Sequence, residues 1–210
     1  NPAWVDFFFG EHKGRSEVRK ILGISGDDFV IMVPWGKSAP VNILHLNAVI
    51  EASAQQTFGA LRILVATHPR DKNSASVYED LVKFSPVPVS IVPKDTLSAS
   101  QMLGGVDLVV GSASTVGIEA VCRRIPSIDF FSPLALVHLD RSTGTRKWEP
   151  CEQGVSMESF SARHLADAIG GLSTAAPWVS MQRTAQEYFF PRPTVQGEAL
   201  RDMAEAIEAK

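Results

Sequence analysis

Asp107–Pro126, DLVVGSASTVGIEAVCRRIP, is the stretch whose reading decides the fold. Leu108, Val109 and Val110 form a short apolar run, and Gly111-Ser112-Ala113-Ser114-Thr115 is a turn of small and hydroxylated residues. Val116, Ala120 and Val121 then mark a helix, which Pro126 stops. A strand that passes into a helix through glycine and hydroxyls predicts an anion site. The first N–H groups of a helix have no partner within it, and the aligned peptide dipoles add partial positive charge there, so a phosphate is the natural guest. Two readings of the hydroxyls stand side by side: groups that hold a ligand, or Ser114 or Thr115 as the N-cap of an ordinary core helix. With Ser114 as cap, the N3 position is Gly117, so Glu119 cannot close a capping box. Glu119 instead falls on the helix face of Thr115, poorly placed for phosphate and well placed for the hydroxyls of a ribose beside it.

Outward from this stretch the chain alternates. Ser16–Leu22 reads as a helix ending at Gly23, Phe29–Val33 as a buried strand, and Val41–Ala54 as a helix with Ile43, Leu46, Val49 and Ile50 on its inner face. Leu61–Ala66 is a second strand, Ser76–Lys83 a short helix, Val87–Val92 a third strand and Ser98–Leu103 a helical turn before the central strand. Ser127–Phe130 is a fifth strand, and a helix is expected from about Ser161 to Ile169. Apolar strands separated by helices predict an α/β, Rossmann-like three-layer domain with a mostly parallel sheet, followed by C-terminal helices. His138–Trp148, with Arg141, Arg146 and Lys147, reads as polar loop: a cover over the site or, the preferred reading, a mobile surface excursion.

In parallel sheets the ligand lies beyond the carboxyl ends of the strands. Trp35-Gly36-Lys37-Ser38, His68-Pro69-Arg70 and Ser112–Thr115 each follow a strand, so the topology brings a lysine, a histidine, an arginine and a helix N-terminus to one rim. That is a diphosphate's environment. Lys37 would act as a point charge and a suitably protonated His68 as a donor to a phosphate oxygen. Taken singly, Lys37 and Arg70 also read as solvated loop cations, His68 as a structural histidine and Trp35 as a cap on the core. Their shared location is what favours the site.

Composition narrows the classes. A chain of 210 residues with 45% hydrophobic and 20% charged residues can bury a core, and a net charge of −3 gives no electrostatic case for nucleic acid. The two cysteines, Cys122 and Cys151, make no disulfide framework and have no metal-ligand spacing, so no metal is expected. With no apolar run of about eighteen residues and no signal-peptide plan, a cytoplasmic protein is expected. Peripheral membrane association through a longer protein stays open. The aromatic stretch Trp4–Phe9 is expected to pack on the domain or on something outside this chain rather than on lipid.

Four motifs carry a family resemblance: Asn1-Pro2 with Asp6, His68-Pro69, the SxSTxxxEA run at Ser112–Ala120, and PTVQGEALRDMAEAI from Pro193 to Ile207. In this order the chain resembles the C-terminal, nucleotide-binding half of a GT-B type glycosyltransferase, in the superfamily that includes the non-hydrolysing UDP-N-acetylglucosamine 2-epimerases. The resemblance implies a nucleotide-sugar donor site, with UDP favoured over CMP- or CDP-activated donors and no separate cofactor. The strand-end argument makes Lys37 and His68 the expected catalytic residues, with Gly36 beside them at the phosphates, and the resemblance implies Ser112, Ser114, Thr115 and Val116 around the phosphates and Glu119 on the ribose. Val92, Pro93 and Lys94 would flank the base, largely through backbone groups. It also implies a division into an opening segment over 1–15, a donor-binding domain over 16–190 and a crossover helix over 191–210. The acceptor would then bind an N-terminal domain missing from this chain.

The departures from the family pattern are specific. In the commonest retaining enzymes a second glutamate would stand where this chain has Gly111. The epimerases place a histidine in the loop that here holds Trp35, Gly36 and Lys37. The glycine expected near the end of the central helix is Arg124, which leaves that helix ending open. The sequence therefore points to the donor half of a glycosyltransferase, with an epimerase-like enzyme and a non-catalytic nucleotide-binding module as the other readings.

Overall fold

The computed structural model describes residues 13–57, 59–68, 75–93, 95–173 and 177–189. Asn1-Pro2, Asp6, Pro69, Arg70, Lys94 and the closing run from Pro193 to Ile207 lie outside the described residues. The elements are α1 (Arg15–Ile21), β1 (Phe29–Pro34), α2 (Ala39–Ala54), β2 (Leu61–Ala66), α3 (Glu79–Lys83, preceded by a 3-10 turn at Ala75–Tyr78), β3 (Val89–Val92) and α4 (Ala99–Met102). They continue with β4 (Leu108–Gly111), α5 (Thr115–Cys122), β5 (Ser127–Phe130), α6 (Pro133–Thr143), α7 (Glu149–Glu152), β6 (Met157–Ser159), α8 (Ala162–Ser173) and α9 (Pro177–Phe189).

The strands form one six-stranded sheet in the order β3-β2-β1-β4-β5-β6, and every neighbouring pair is parallel. Period-two alternation divides the strand side chains between two cores. Ile31, Val33, Ile63, Val65, Leu108 and Val110 face α2 and α8, where Leu46, Val49, Leu165 and Ile169 are buried. Val30, Met32, Leu64 and Val109 face the other way, onto Val18, Met102, Leu103 and Ala120 of α1, α4 and α5. The expected three-layer α/β fold is present.

The order reverses between β1 and β4. Ile31 pairs with Leu108 and Met32 with Val109, although β1 is followed by β2 and β3 in the chain. Asp107 secures this junction from below: its carboxylate accepts the Val30 N–H at 2.8 Å, and Asp107 N–H donates to Val30 O at 2.9 Å. The same carboxylate takes Arg19 Nη2 at 2.8 Å and Arg15 Nη2 at 2.7 Å. Arg19 is 3% exposed, and its remaining guanidinium donors reach the carbonyls of Gly105, Ser25 and Gly26 at 2.7–3.0 Å. A buried arginine is tolerated here because its donors and its charge are both matched.

Several expectations change past β5. Residues 138–143 belong to α6 rather than to a loop, and Pro150 opens α7 close behind. The signals were Ser132 as N-cap, with Oγ accepting the Ala135 N–H at 3.2 Å, Pro133 in the first turn, and Gly144 stopping the helix at φ +75°. The strand β6 and the helix α9 were also missed. β6 is only Met157–Ser159, too short to show a period, and α9 is held by polar groups, with Gln182 clamping the Ser127 N–H and C=O at 3.0 and 2.7 Å.

The ending of α5 at Arg124 is a Schellman motif. Ile125 N–H reaches Ala120 O and Arg124 N–H reaches Val121 O, both at 3.0 Å, with Arg124 at φ +61°. A side chain in the left-handed region costs about 1–2 kcal/mol relative to ordinary helix geometry. Arg124→Gly should therefore stabilise the fold by about 0.5–1 kcal/mol after loss of the Nη1 bond to Val121 O, raising Tm by roughly 2 °C. An unchanged or lower melting temperature would count against strain at this position.

His45, buried in α2 and stacked on Phe130 with ring centroids 5.9 Å apart, is pushed down to about 4 by burial, partly opposed by a backbone hydrogen bond at Val110. Below its unfolded value of 6.5 the unfolded chain binds the proton and the folded chain does not, so stability falls as pH drops from 6.5 towards 4. The loss is roughly 3 kcal/mol. Urea titrations at the two ends of that window should show it in the wild type and show it reduced by about that amount in His45→Leu.

Candidate functional site

The loops after β1 and β4 leave for opposite faces, since α2 packs on one core and α5 on the other. A crevice at the carboxyl edge results, and this is where parallel α/β sheets hold ligands. On the β1 side, Trp35 is 4% exposed and lies against Tyr78, ring centroids 3.8 Å apart. Asn42 grips Gly36 from both sides, with Gly36 N–H donating to Oδ1 at 2.9 Å and Nδ2 donating to Gly36 O at 3.1 Å. Lys37, next in the chain, is exposed. Ser38 is the N-cap of α2 by backbone geometry, but its side chain makes no capping bond, and Pro40 has no N–H to offer.

On the β4 side, Ser114 is the N-cap of α5: its Oγ accepts the Val116 N–H at 3.2 Å and its carbonyl accepts the Gly117 N–H at 3.0 Å. Ser114 is thus a helix cap, and the turn it belongs to walls the crevice. The turn gets its shape from Ala113, at φ +51°.

The crevice is a cleft of about 410 Å³. Of the residues expected at the site, Gly36, Lys37, His68, Ser112, Ser114 and Thr115 all line it, brought from three loops far apart in the chain. Val116 and Glu119 do not. The Val116 N–H is taken by Ser114, and the half-buried Glu119 carboxylate, one turn beyond Thr115, accepts the Ser100 hydroxyl of α4. Val92 is buried in the core beneath α4 and Pro93 is exposed beyond it, neither reaching this wall.

Sequence reasoning missed the opposite wall. Ala135, His138, Leu139 and Ser142 of α6 recur at helical spacing and face the cleft, with Trp148 beside them. Among the described residues the lining carries Lys37, His68 and His138 and no aspartate or glutamate, in a chain whose net charge is −3. The cleft is therefore locally basic against an acidic background, which favours an anionic guest.

Asp129 was missed as well, although a carboxylate in the otherwise apolar and small Ser127–Phe130 run was the available signal. It is 1% exposed and lies under the turn, with Oδ1 accepting the Ala113 N–H at 2.9 Å and Oδ2 accepting the Ser156 hydroxyl at 2.8 Å. Burial pushes it up to about 6, against the pull of Ser156, Ala113 and, more weakly, the Trp148 side chain. Among the described residues no group of three His, Cys, Asp or Glu side chains is placed to hold a metal ion, and no helix is long and apolar enough to cross a membrane.

No protein-family model matches the chain, and no curated protein matches its sequence. Solved structures do. A protein described as a UDP-N-acetylglucosamine 2-epimerase, from Listeria monocytogenes, superposes with a TM-score of 0.62 at 14% identity, over 100% of this chain and 52% of its own. Sucrose-phosphate synthase from Thermosynechococcus elongatus gives 0.57 at 14% identity, over 98% of this chain and 51% of its own. The C-terminal domain of a group 1 glycosyl transferase, LpcC from Francisella tularensis, gives 0.52 at 13% identity, over 85% of this chain and 92% of that domain. The fold is that of the C-terminal half of GT-B glycosyltransferases and the 2-epimerases. At these identities the likeness is one of fold, and the chain spans about half the length of the whole-enzyme structures it matches.

Gly111 tests the floor of this cleft. A Cβ there would stand 3.1 Å from Asp129 Oδ1, and that carboxylate is held in place by Ala113 and Ser156. Gly111→Ala should cost about 1–3 kcal/mol, the usual range for overpacking a closed site. Denaturant unfolding that matched the wild type would show that the floor can yield.

Proposed function

We propose that this chain is the donor half of a glycosyltransferase, binding a nucleotide-sugar diphosphate in the cleft between β1 and β4. The observation that carries the reading is the convergence of Lys37, His68 and the start of α5 on one basic cleft at the switch point of the sheet. When a glycosidic bond to a nucleoside diphosphate breaks, negative charge grows on the diphosphate oxygens. Groups that stabilise that charge more than the ground state lower the barrier. Lys37 supplies a full charge, the His68 ring a hydrogen bond, and the Ser112–Thr115 turn hydroxyls and the positive end of a helix dipole.

The ribose would lie further along α5, where Glu119 could exchange the Ser100 hydroxyl for those of the sugar. The base would sit towards Val92 and Pro93, past the end of β3. The α6 wall, with His138 and Ser142, would face the transferred sugar. UDP is the favoured carrier, and transfer itself belongs to a protein that also supplies an acceptor site.

Thermal shift and calorimetry with UDP, CDP, GDP and uridine test this reading. A nucleoside diphosphate at about a hundred times its Kd should stabilise the fold by roughly 2.7 kcal/mol. Lys37→Ala should weaken the diphosphate by about tenfold while leaving the Tm of the free protein unchanged, since Lys37 is exposed. Glu119→Ala should weaken UDP and uridine alike. The absence of any shift with all of the diphosphates at millimolar concentration would sink the donor reading.

A further inference from the structure

We infer that Asp129 is a positioning residue for the anion-binding turn: from beneath the cleft its carboxylate holds Ala113 left-handed, which sets the direction of the Ser112–Thr115 turn that faces the donor phosphates. The inference rests on the donor-site reading above and extends it to a residue outside the cleft wall. The geometry is specific. Oδ1 accepts the N–H of Ala113 at 2.9 Å, the residue whose φ is +51°, while Oδ2 is fixed by the Ser156 hydroxyl at 2.8 Å, with Cys151 Sγ at 4.0 Å. Gly111 lets the carboxylate come this close, because any side chain there would press on Oδ1.

The conformation of Ala113 needs such a holder. Alanine has none of glycine's freedom at positive φ, and a short loop of small residues has no core contacts that would impose it. A charged acceptor on a rigid strand supplies the restraint, and its hydrogen bond is stronger than a neutral one. An aspartate beneath an anion site would be poorly chosen on charge alone, since it repels the guest. Its value is orientation: the Ala113 N–H points down at Asp129, which leaves the following residues free to face up. Asparagine cannot replace it fully: the oxygen that serves Ala113 loses its charge, and the NH2 group in place of Oδ2 requires the Ser156 hydroxyl to turn from donor to acceptor.

The test uses the 210-residue chain, with Kd for UDP and for uridine measured by calorimetry and folding checked by circular dichroism. Asp129→Asn should weaken UDP by about tenfold, the loss of one charge-assisted hydrogen bond, while uridine changes by less than about twofold. Adding Ala113→Gly, which takes positive φ without a holder, should restore most of the UDP affinity of Asp129→Asn. Asp129→Ser, which keeps a small acceptor, should fall between the two. Equal losses for UDP and uridine, unchanged UDP binding in a folded Asp129→Asn chain, or no recovery on adding glycine would each overturn the inference. A wild-type chain that binds no nucleoside diphosphate would overturn the donor reading itself, a result distinct from UDP binding that survives Asp129→Asn.

Discussion

The structure depends on β1 and β4 lying side by side. These strands are separated in the chain by α2, β2, α3, β3 and α4, yet Ile31 pairs with Leu108 and Met32 with Val109. Their adjacency is what sends α2 and α5 to opposite faces and opens a cleft between the loops that lead to them. The pairing is also locked at the far edge, where Asp107 joins the Val30 backbone to Arg19 and Arg15. Breaking that partly buried pair would leave the Arg19 guanidinium with its carbonyl acceptors but without its counter-charge, a cost below the ~3–5 kcal/mol of a fully buried pair. The Arg19–Asp107 contact thus keeps the cleft in register from the edge of the sheet opposite to it.

The helix α5 shows how local strain is used. It is eight residues long, and a non-glycine residue at positive φ stands just beyond each end, Ala113 before and Arg124 after. Among the described residues these are the non-glycine positions in that region. Each is tied down by hydrogen bonds from a neighbour that is itself fixed: Asp129 on β5 for Ala113, and the last turn of the helix for Arg124. So short a helix would be marginal alone, and packing plus these two stops set where it begins and where its dipole points. Strain of this kind persists only where the surroundings over-determine it.

What was legible in the sequence followed from burial. β1, β2 and β4 sit between two cores and are mainly valine, isoleucine, leucine and methionine, and β3 and β5 are short runs beside them, so the positions could be read closely: Leu61–Ala66 and Ser127–Phe130 match in full, and β3 begins at Val89 where Val87 was expected. The loops at their carboxyl ends could be read because parallel topology leaves them one place to go. The α6 wall was not, because its one-sided packing leaves Val137 and His138 exposed and its last turn is Asp140-Arg141-Ser142-Thr143. Its cap, its first-turn proline and its terminal glycine outweighed the polar composition. For α9 the hydrogen bonds to the sheet and to Val155 come from Gln182 and Gln186, with Trp178 alone of its side chains packed against the main core, so little of its docking shows as a hydrophobic pattern. Asp129 is the reverse case: a charge in a buried strand is itself a signal, because it must find partners, but which ones depends on β6 and α7, elements the sequence hid.

The cleft as it stands is open to solvent, and this bears on how it would work under the proposed reading. Gly36, Lys37, Thr115 and His138 are exposed, so water reaches the groups that would meet a diphosphate. A charge about 4 Å from Lys37 gains only about 1 kcal/mol in bulk water and about four times that at the lower effective dielectric of a protein surface. The same residues would therefore bind weakly when open and stabilise developing charge strongly once a second surface closed over them and expelled solvent. The dipole of α5 and the Ser112–Thr115 hydroxyls behave in the same way, being fixed in advance and screened only by what lies outside. Under the proposed reading, a wall built this way would hold a donor loosely while open and contribute most of its electrostatic effect once covered. That division follows from where the sheet ends: the strands place the charges, and the barrier they lower depends on what covers them.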